Sequence, residues 1–72
     1  MQAYKKRMIE EYNQLKTRRN KLEKIINQIE AGTCSFYPNS PRYMLIQQLE
    51  HMNGYLGVLK LRAEYEGIEL EY

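Results

Sequence analysis

Two adjacent arginines, Arg18 and Arg19, are the residues of this 72-residue sequence best suited to chemistry. They interrupt an apolar pattern. One flank of a heptad row reads Tyr4, Glu11, Arg18, Ile25, and the other reads Tyr12, Arg19, Ile26. Arginine offers a planar fork of donors that matches phosphate or carboxylate oxygens. The same side chains also suit snorkelling to water or pairing with a glutamate on a neighbouring helix. Gly54 and Gly57 form a second departure, because each costs ~1 kcal/mol relative to alanine inside a helix. They allow close approach of a ligand, and equally suit close helix packing or a kink. Tyrosine is the third: there are seven, against one Phe and no Trp. Tyr12 and Tyr55 are suited to stacking on a base or to plain packing at a half-wet interface. Asn53 and His51 add polar groups that could read a ligand's edges.

The elements that must position these residues are two helices. Residues 3–31 contain neither Pro nor Gly, and Met1, Met8, Leu15, Leu22 and Ile29 recur every seven residues. That is helical periodicity, not strand alternation. Gly32 is placed to end this helix in the left-handed conformation. Residues 32–40 are rich in turn formers and make the connection, with Phe36 and Tyr37 expected to fold back over the open end. Ser40 is expected to cap a second helix with Pro41 at its first position. This helix runs from about 41 to 66, followed by a short tail, 67–72. Leu45, Leu49, Met52, Leu56, Leu59 and Ala63 follow a 4-3-4-3-4 spacing, a coiled-coil-like seam. Gly67 then ends the helix, with Ile68 placed for the hydrophobic contact that follows such a cap.

The fold class read from this pattern is all-α, an antiparallel two-helix hairpin forming one domain. Each helix would be roughly 40 Å long at ~1.5 Å per residue. Tyr43, Ile46, Val58, Leu61 and Tyr65 lie off the main seam of the second helix. One hairpin cannot cover them all, so assembly into a homo-oligomeric helical bundle is expected. Size argues the same way, because so short a chain is marginal without disulfides, metal or partners. Cys34 and His51 are the sole residues of their types, so neither an internal disulfide nor an intrachain zinc site is expected. In the hairpin, positions summing to about 72 face each other. Arg18 and Arg19 then lie level with Asn53 and Gly54, Leu15 with Gly57, and Tyr12 with Lys60. A polar notch at mid-rod is the predicted site.

Composition restricts the function classes. The net charge of +2 is too small to argue for nucleic acid by itself, and the Lys16–Lys24 stripe alone is a weak case for it. Basic residues Lys5, Lys6 and Arg7 and acidic residues Glu64, Glu66, Glu69 and Glu71 should attract one another across the hairpin end. The sequence shows no secretory leader and no stretch long enough to span a bilayer, so a cytoplasmic protein without a membrane partner is expected. No Gly-rich phosphate loop, HExxH or GxSxG is present. Neither an enzyme nor a cofactor is expected.

The run Tyr4, Arg7, Met8, Glu11, Leu15, then Leu22 and Ile25, then Gln48, Met52, Tyr55, Leu59, Arg62, Glu66 and Gly67 resembles a family of small phage and prophage proteins. That family is common in gut bacteria and related to a crAss-like phage protein. The resemblance covers most of the chain outside the connection and transfers no specific binding residue. It implies a phage origin, and by analogy of size and chemistry an anti-defence role. One such role is a sponge that sequesters a nucleotide immune second messenger, a cyclic dinucleotide or a cyclic ADP-ribose. Arg18 and Arg19 would hold phosphate, Tyr12 or Tyr55 would stack, and Asn53 or His51 would read polar edges. The alternative is a module that binds a host or phage protein through its apolar, tyrosine-rich face.

Overall fold

Apolar residues spaced by fours and threes give each helix one stripe, and two stripes bury each other only if the helices run side by side. A computed structural model describes residues 2–33 and 39–70, and shows this arrangement. Helix α1 spans Ala3–Ala31 and helix α2 spans Arg42–Glu66, and the two pack against each other in a rod of 45 × 18 × 18 Å. The fold is the expected all-α hairpin. Met1, Cys34, Phe36, Tyr37, Glu71 and Tyr72 lie outside the described residues, and with them the expected folding back of the connection.

Both helices stop by the same device. Gly32 and Gly67 adopt φ of 72° and 66°, a region open to glycine at little cost. At the end of α1, Gly32 N–H donates to Ile29 O (3.1 Å) and Thr33 N–H to Gln28 O (2.9 Å). At the end of α2, Gly67 N–H donates to Glu64 O (3.3 Å) and Ile68 N–H to Ala63 O (2.8 Å). This paired pattern is the Schellman motif, which satisfies carbonyls that would otherwise be orphaned. Ile68 then packs on the adjoining core, as its position after the cap predicts. The start of α2 differs from expectation. Pro41 is the cap residue, in extended conformation, and its carbonyl accepts from Met44 N–H at 3.0 Å. Ser40 precedes the cap, and no side-chain oxygen caps α2.

The seam of α2 follows the predicted spacing, with Leu45, Leu56, Leu59 and Ala63 buried and Leu49 and Met52 packed beside them. The seam of α1 is sharper than a seven-residue repeat. Met8, Tyr12, Leu22 and Ile26 are buried, and Leu15 and Ile29 pack against them. The row is therefore 8, 12, 15, 19, 22, 26, 29, with Arg19 at its centre. The core divides there into two clusters. One joins Met8, Tyr12, Leu56, Leu59 and Ala63; the other joins Leu22, Ile26 and Leu45.

The charge layout opposes each helix's own dipole. Lys5 and Lys6 stand in the first turns of α1, and Glu64 and Glu66 in the last turn of α2. Each set is unfavourable on its own helix. Antiparallel pairing brings each set beside the terminus of opposite sign. At this end Tyr4 Oη donates to Glu66 Oε2 at 3.0 Å. That bond, followed by desolvation and the carboxylate's charge, holds the Tyr4 phenol above its ordinary value of 10.0. At the other end the Arg42 guanidinium pairs with the Glu30 carboxylate.

Two outcomes follow. Leu59 is 0% exposed, so Leu59→Ala should cost about 2–5 kcal/mol. That loss is large for so small a core and should appear as lost helical circular dichroism at 37 °C. The Tyr4–Glu66 contact requires a protonated phenol. Its contribution is therefore complete below the ordinary phenol value and is lost as pH rises through the raised one. In an alkaline absorbance titration, Tyr4→Phe should remove a tyrosine that ionises above its ordinary value, and Glu66→Gln should bring that step to lower pH.

Candidate functional site

Arg19 occupies a seam position, yet its charge must stay near water or find acceptors. It does both. The side chain keeps 25% exposure while Nε donates to Asn53 Oδ1 at 2.8 Å. Nη1 donates to Asn20 Oδ1 at 3.1 Å, and Nη2 pairs with Glu23 Oε2 at 2.6 Å. Three acceptors thus fix the plane of the guanidinium. The bond to Asn53 is also the polar link across the two helices at the level where the apolar clusters part.

This break opens a cleft of about 390 Å³. Tyr12, Lys16, Arg19 and Asn20 line it from α1, and Asn53, Leu56, Gly57 and Lys60 from α2. Lys16 Nζ stands 6.0 Å over the centre of the Tyr12 ring. Gly57 leaves the wall low, since a Cβ added there would meet nothing within 4 Å. Three cationic side chains converge on a half-apolar hollow. That combination suits an anionic ligand with a flat or apolar part.

Two other hollows lie toward the N-terminal end of α1. One of about 500 Å³ lies between Gln2, Lys5, Ile9 and the segment 67–69, and its lining carries one cation, Lys5, and one acid, Glu69. One of about 260 Å³ lies between Tyr4, Arg7, Met8, Glu11 and Arg62. Volume alone favours the first. For an anion, convergent charge favours the mid-rod cleft.

The structure brings Tyr12, Arg19 and Asn53 together, in the register that places Arg19 level with Asn53. It leaves Arg18, His51 and Tyr55 outside the cleft lining. The reason is helical rotation. Arg18 lies about 100° round the helix from Arg19, on the opposite flank of the seam. His51 and Tyr55 likewise sit across the α2 seam from Asn53. Tyr12 is only 1% exposed, so its ring is core and presents no open face to a base within one chain. Gly54 is also displaced from the expected notch and lies on the outer surface of α2. Lys16, Asn20 and Lys60 were not singled out as site residues from the sequence. The spacing 12-16-20 on α1 and 53-57-60 on α2 would have marked them, because each set shares a helix flank.

A family model described as Sequestin matches residues 2–65. The chain belongs to the Sequestin family. The match takes in all of α1, all of α2 but its last residue, and every residue of the mid-rod cleft, and the family name fits a small sequestering protein. No curated protein and no solved structure matches the chain. Among the described residues no helix is long and apolar enough to cross a membrane, and no group of three or more His, Cys, Asp or Glu could hold a metal ion.

Arg19 should cost this Sequestin stability. Replacing a partly buried polar network by an apolar side chain commonly stabilises a helical interface. Arg19→Leu should join the two apolar clusters and raise the unfolding free energy by roughly 1 kcal/mol in urea melts. A lowered midpoint would instead show that the network holds the seam together.

Proposed function

We propose that this Sequestin is a phage-encoded anti-defence protein that acts by binding rather than by catalysis. It holds a nucleotide immune second messenger, a cyclic dinucleotide or a cyclic ADP-ribose, in pockets of a homo-oligomer in the cytoplasm of the infected bacterium. The observation that carries the reading is the mid-rod cleft, where Arg19, Lys16 and Lys60 converge beside an apolar wall. Membership of a family whose name fits sequestration supports it.

The ligand's phosphate takes the place of the Glu23 carboxylate on Arg19. That half-exposed i,i+4 pair contributes only on the order of 0.5 kcal/mol, so a phosphate held also by lysines displaces it readily. The Arg19–Asn53 bond stays, fixing the guanidinium plane before the ligand arrives. Such pre-organisation raises affinity by lowering the ordering cost. Asn53 accepts through Oδ1, which leaves its amide N–H groups to donate to a base or ribose. Stacking falls to exposed tyrosines. Tyr55 is 45% exposed and Tyr65 is 91% exposed, and each would reach a ligand from a neighbouring copy.

Titration calorimetry against cyclic dinucleotides and cyclic ADP-ribose isomers tests this. Wild type should bind at least one of them, and Arg19→Leu should lose binding while gaining stability. Glu23→Gln should bind slightly tighter, because the competing carboxylate is gone. Absence of heat across the whole panel would remove the reading. The second reading, a protein-interaction module, is favoured by the exposed Tyr43, Leu61 and Tyr65 on α2. A stoichiometric host or phage protein retained by wild type and lost on Leu61→Asp would support it instead.

A further inference from the structure

A guanidinium only donates, so the atom that accepts from it in an asparagine must be the oxygen. Arg19 therefore fixes which way two amides lie. Its Nε donates to Asn53 Oδ1 at 2.8 Å, and its Nη1 donates to Asn20 Oδ1 at 3.1 Å. Both Oδ1 atoms face the guanidinium, and each Nδ2 keeps two N–H donors. Among the described residues neither Nδ2 has an acceptor. Both side chains line the mid-rod cleft.

The rest of the polar lining is of the same kind. Lys16 and Lys60 carry ammonium groups, which donate and cannot accept. The Tyr12 hydroxyl belongs to a side chain only 1% exposed. Among the described residues no Asp or Glu lines the cleft. Glu23 lies outside the lining, and its Oε2 is held by Arg19 Nη2. The rim of the cleft thus offers donors and no acceptor.

We propose that this rim selects a phosphodiester, a phosphate that carries no proton, and that Asn20 and Asn53 are its specificity-determining residues. Every oxygen of a diester accepts. A phosphate monoester keeps one O–H below its second pKa of about 6. That O–H would give up water for a rim of N–H groups, donor against donor, which weakens binding. Lysine is a flexible point charge, whereas each amide is tied to Arg19 through its Oδ1. The two amides therefore supply most of the discrimination. The inference rests on the cleft as the binding site and narrows the ligand proposed above. Cyclic messengers, whose phosphates all bridge, meet the requirement. A nucleotide that ends in a monoester meets it only after losing the second proton.

The test uses dimethyl phosphate and methyl phosphate at pH 5. There both are predominantly monoanions, and they differ by one O–H. In a nuclear magnetic resonance titration of the full chain, dimethyl phosphate should shift the side-chain amide signals of Asn20 and Asn53. It should bind roughly tenfold tighter than methyl phosphate, the effect of one unpaired donor. Asn20→Asp and Asn53→Asp each keep an oxygen for Arg19 but put an acceptor where the amide donated. Each should bring the ratio of the two affinities close to one. Asn13→Asp adds the same charge at an exposed position of α1 outside the lining, and should leave the ratio unchanged. Glu23→Gln should leave it unchanged as well. If an aspartate variant unfolds, the wild-type ratio and the amide shifts still decide. Equal affinity of wild type for the two esters, or no shift of either amide, overturns the proposal. Neither probe is a nucleotide. Cyclic nucleotides that fail to bind while dimethyl phosphate is still preferred would remove the messenger reading alone.

Discussion

Arg19 and Asn53 meet at 2.8 Å between the two apolar clusters of the seam, and much of the molecule is arranged around that contact. A guanidinium cannot be buried without acceptors. Its place in the row is therefore tolerated only because Asn20, Glu23 and Asn53 each take a donor. The contact fixes the register of α2 on α1. Slipping the pairing would set the charge against leucine. This resembles the role of a single polar residue in a coiled-coil seam, which gives up stability for a defined alignment.

The same contact divides the core. With the apolar clusters separated, each packs on its own side of the break, and the cleft opens between the levels of Tyr12 and Asn53. Gly57 keeps the α2 wall low where Lys16, Arg19 and Lys60 approach. The stability lost at mid-rod is thus local to the one place where charge, depth and an apolar floor coincide. The ends compensate in a different way. Basic residues at the start of α1 and acidic residues at the end of α2 conflict with their own helices and suit the neighbouring one. The antiparallel hairpin is the arrangement that satisfies both.

The sequence by itself determined the elements. Gly32 and Gly67 announced the helix ends because only a residue without Cβ readily takes the left-handed conformation that closes the Schellman bonds. The 4-3 spacing on α2 named its buried face, and the facing of Arg19 and Asn53 followed from hairpin arithmetic. Helical rotation was the part that local pattern left undecided. Arg18 and Arg19 are adjacent in the chain and equal in chemistry, yet one enters the seam and the other lies on the opposite flank. Nothing in the dipeptide distinguishes them. The choice belongs to Met8, Tyr12, Leu22 and Ile26, whose burial against α2 sets the rotation of the whole helix. The same rotation made Tyr12 a core residue and moved Gly54 to the outer face. It also drew Lys16, Asn20 and Lys60 into the cleft. Periodicity shows which residues share a side, but only packing against a second helix fixes which side faces inward and which positions are left beside the groove.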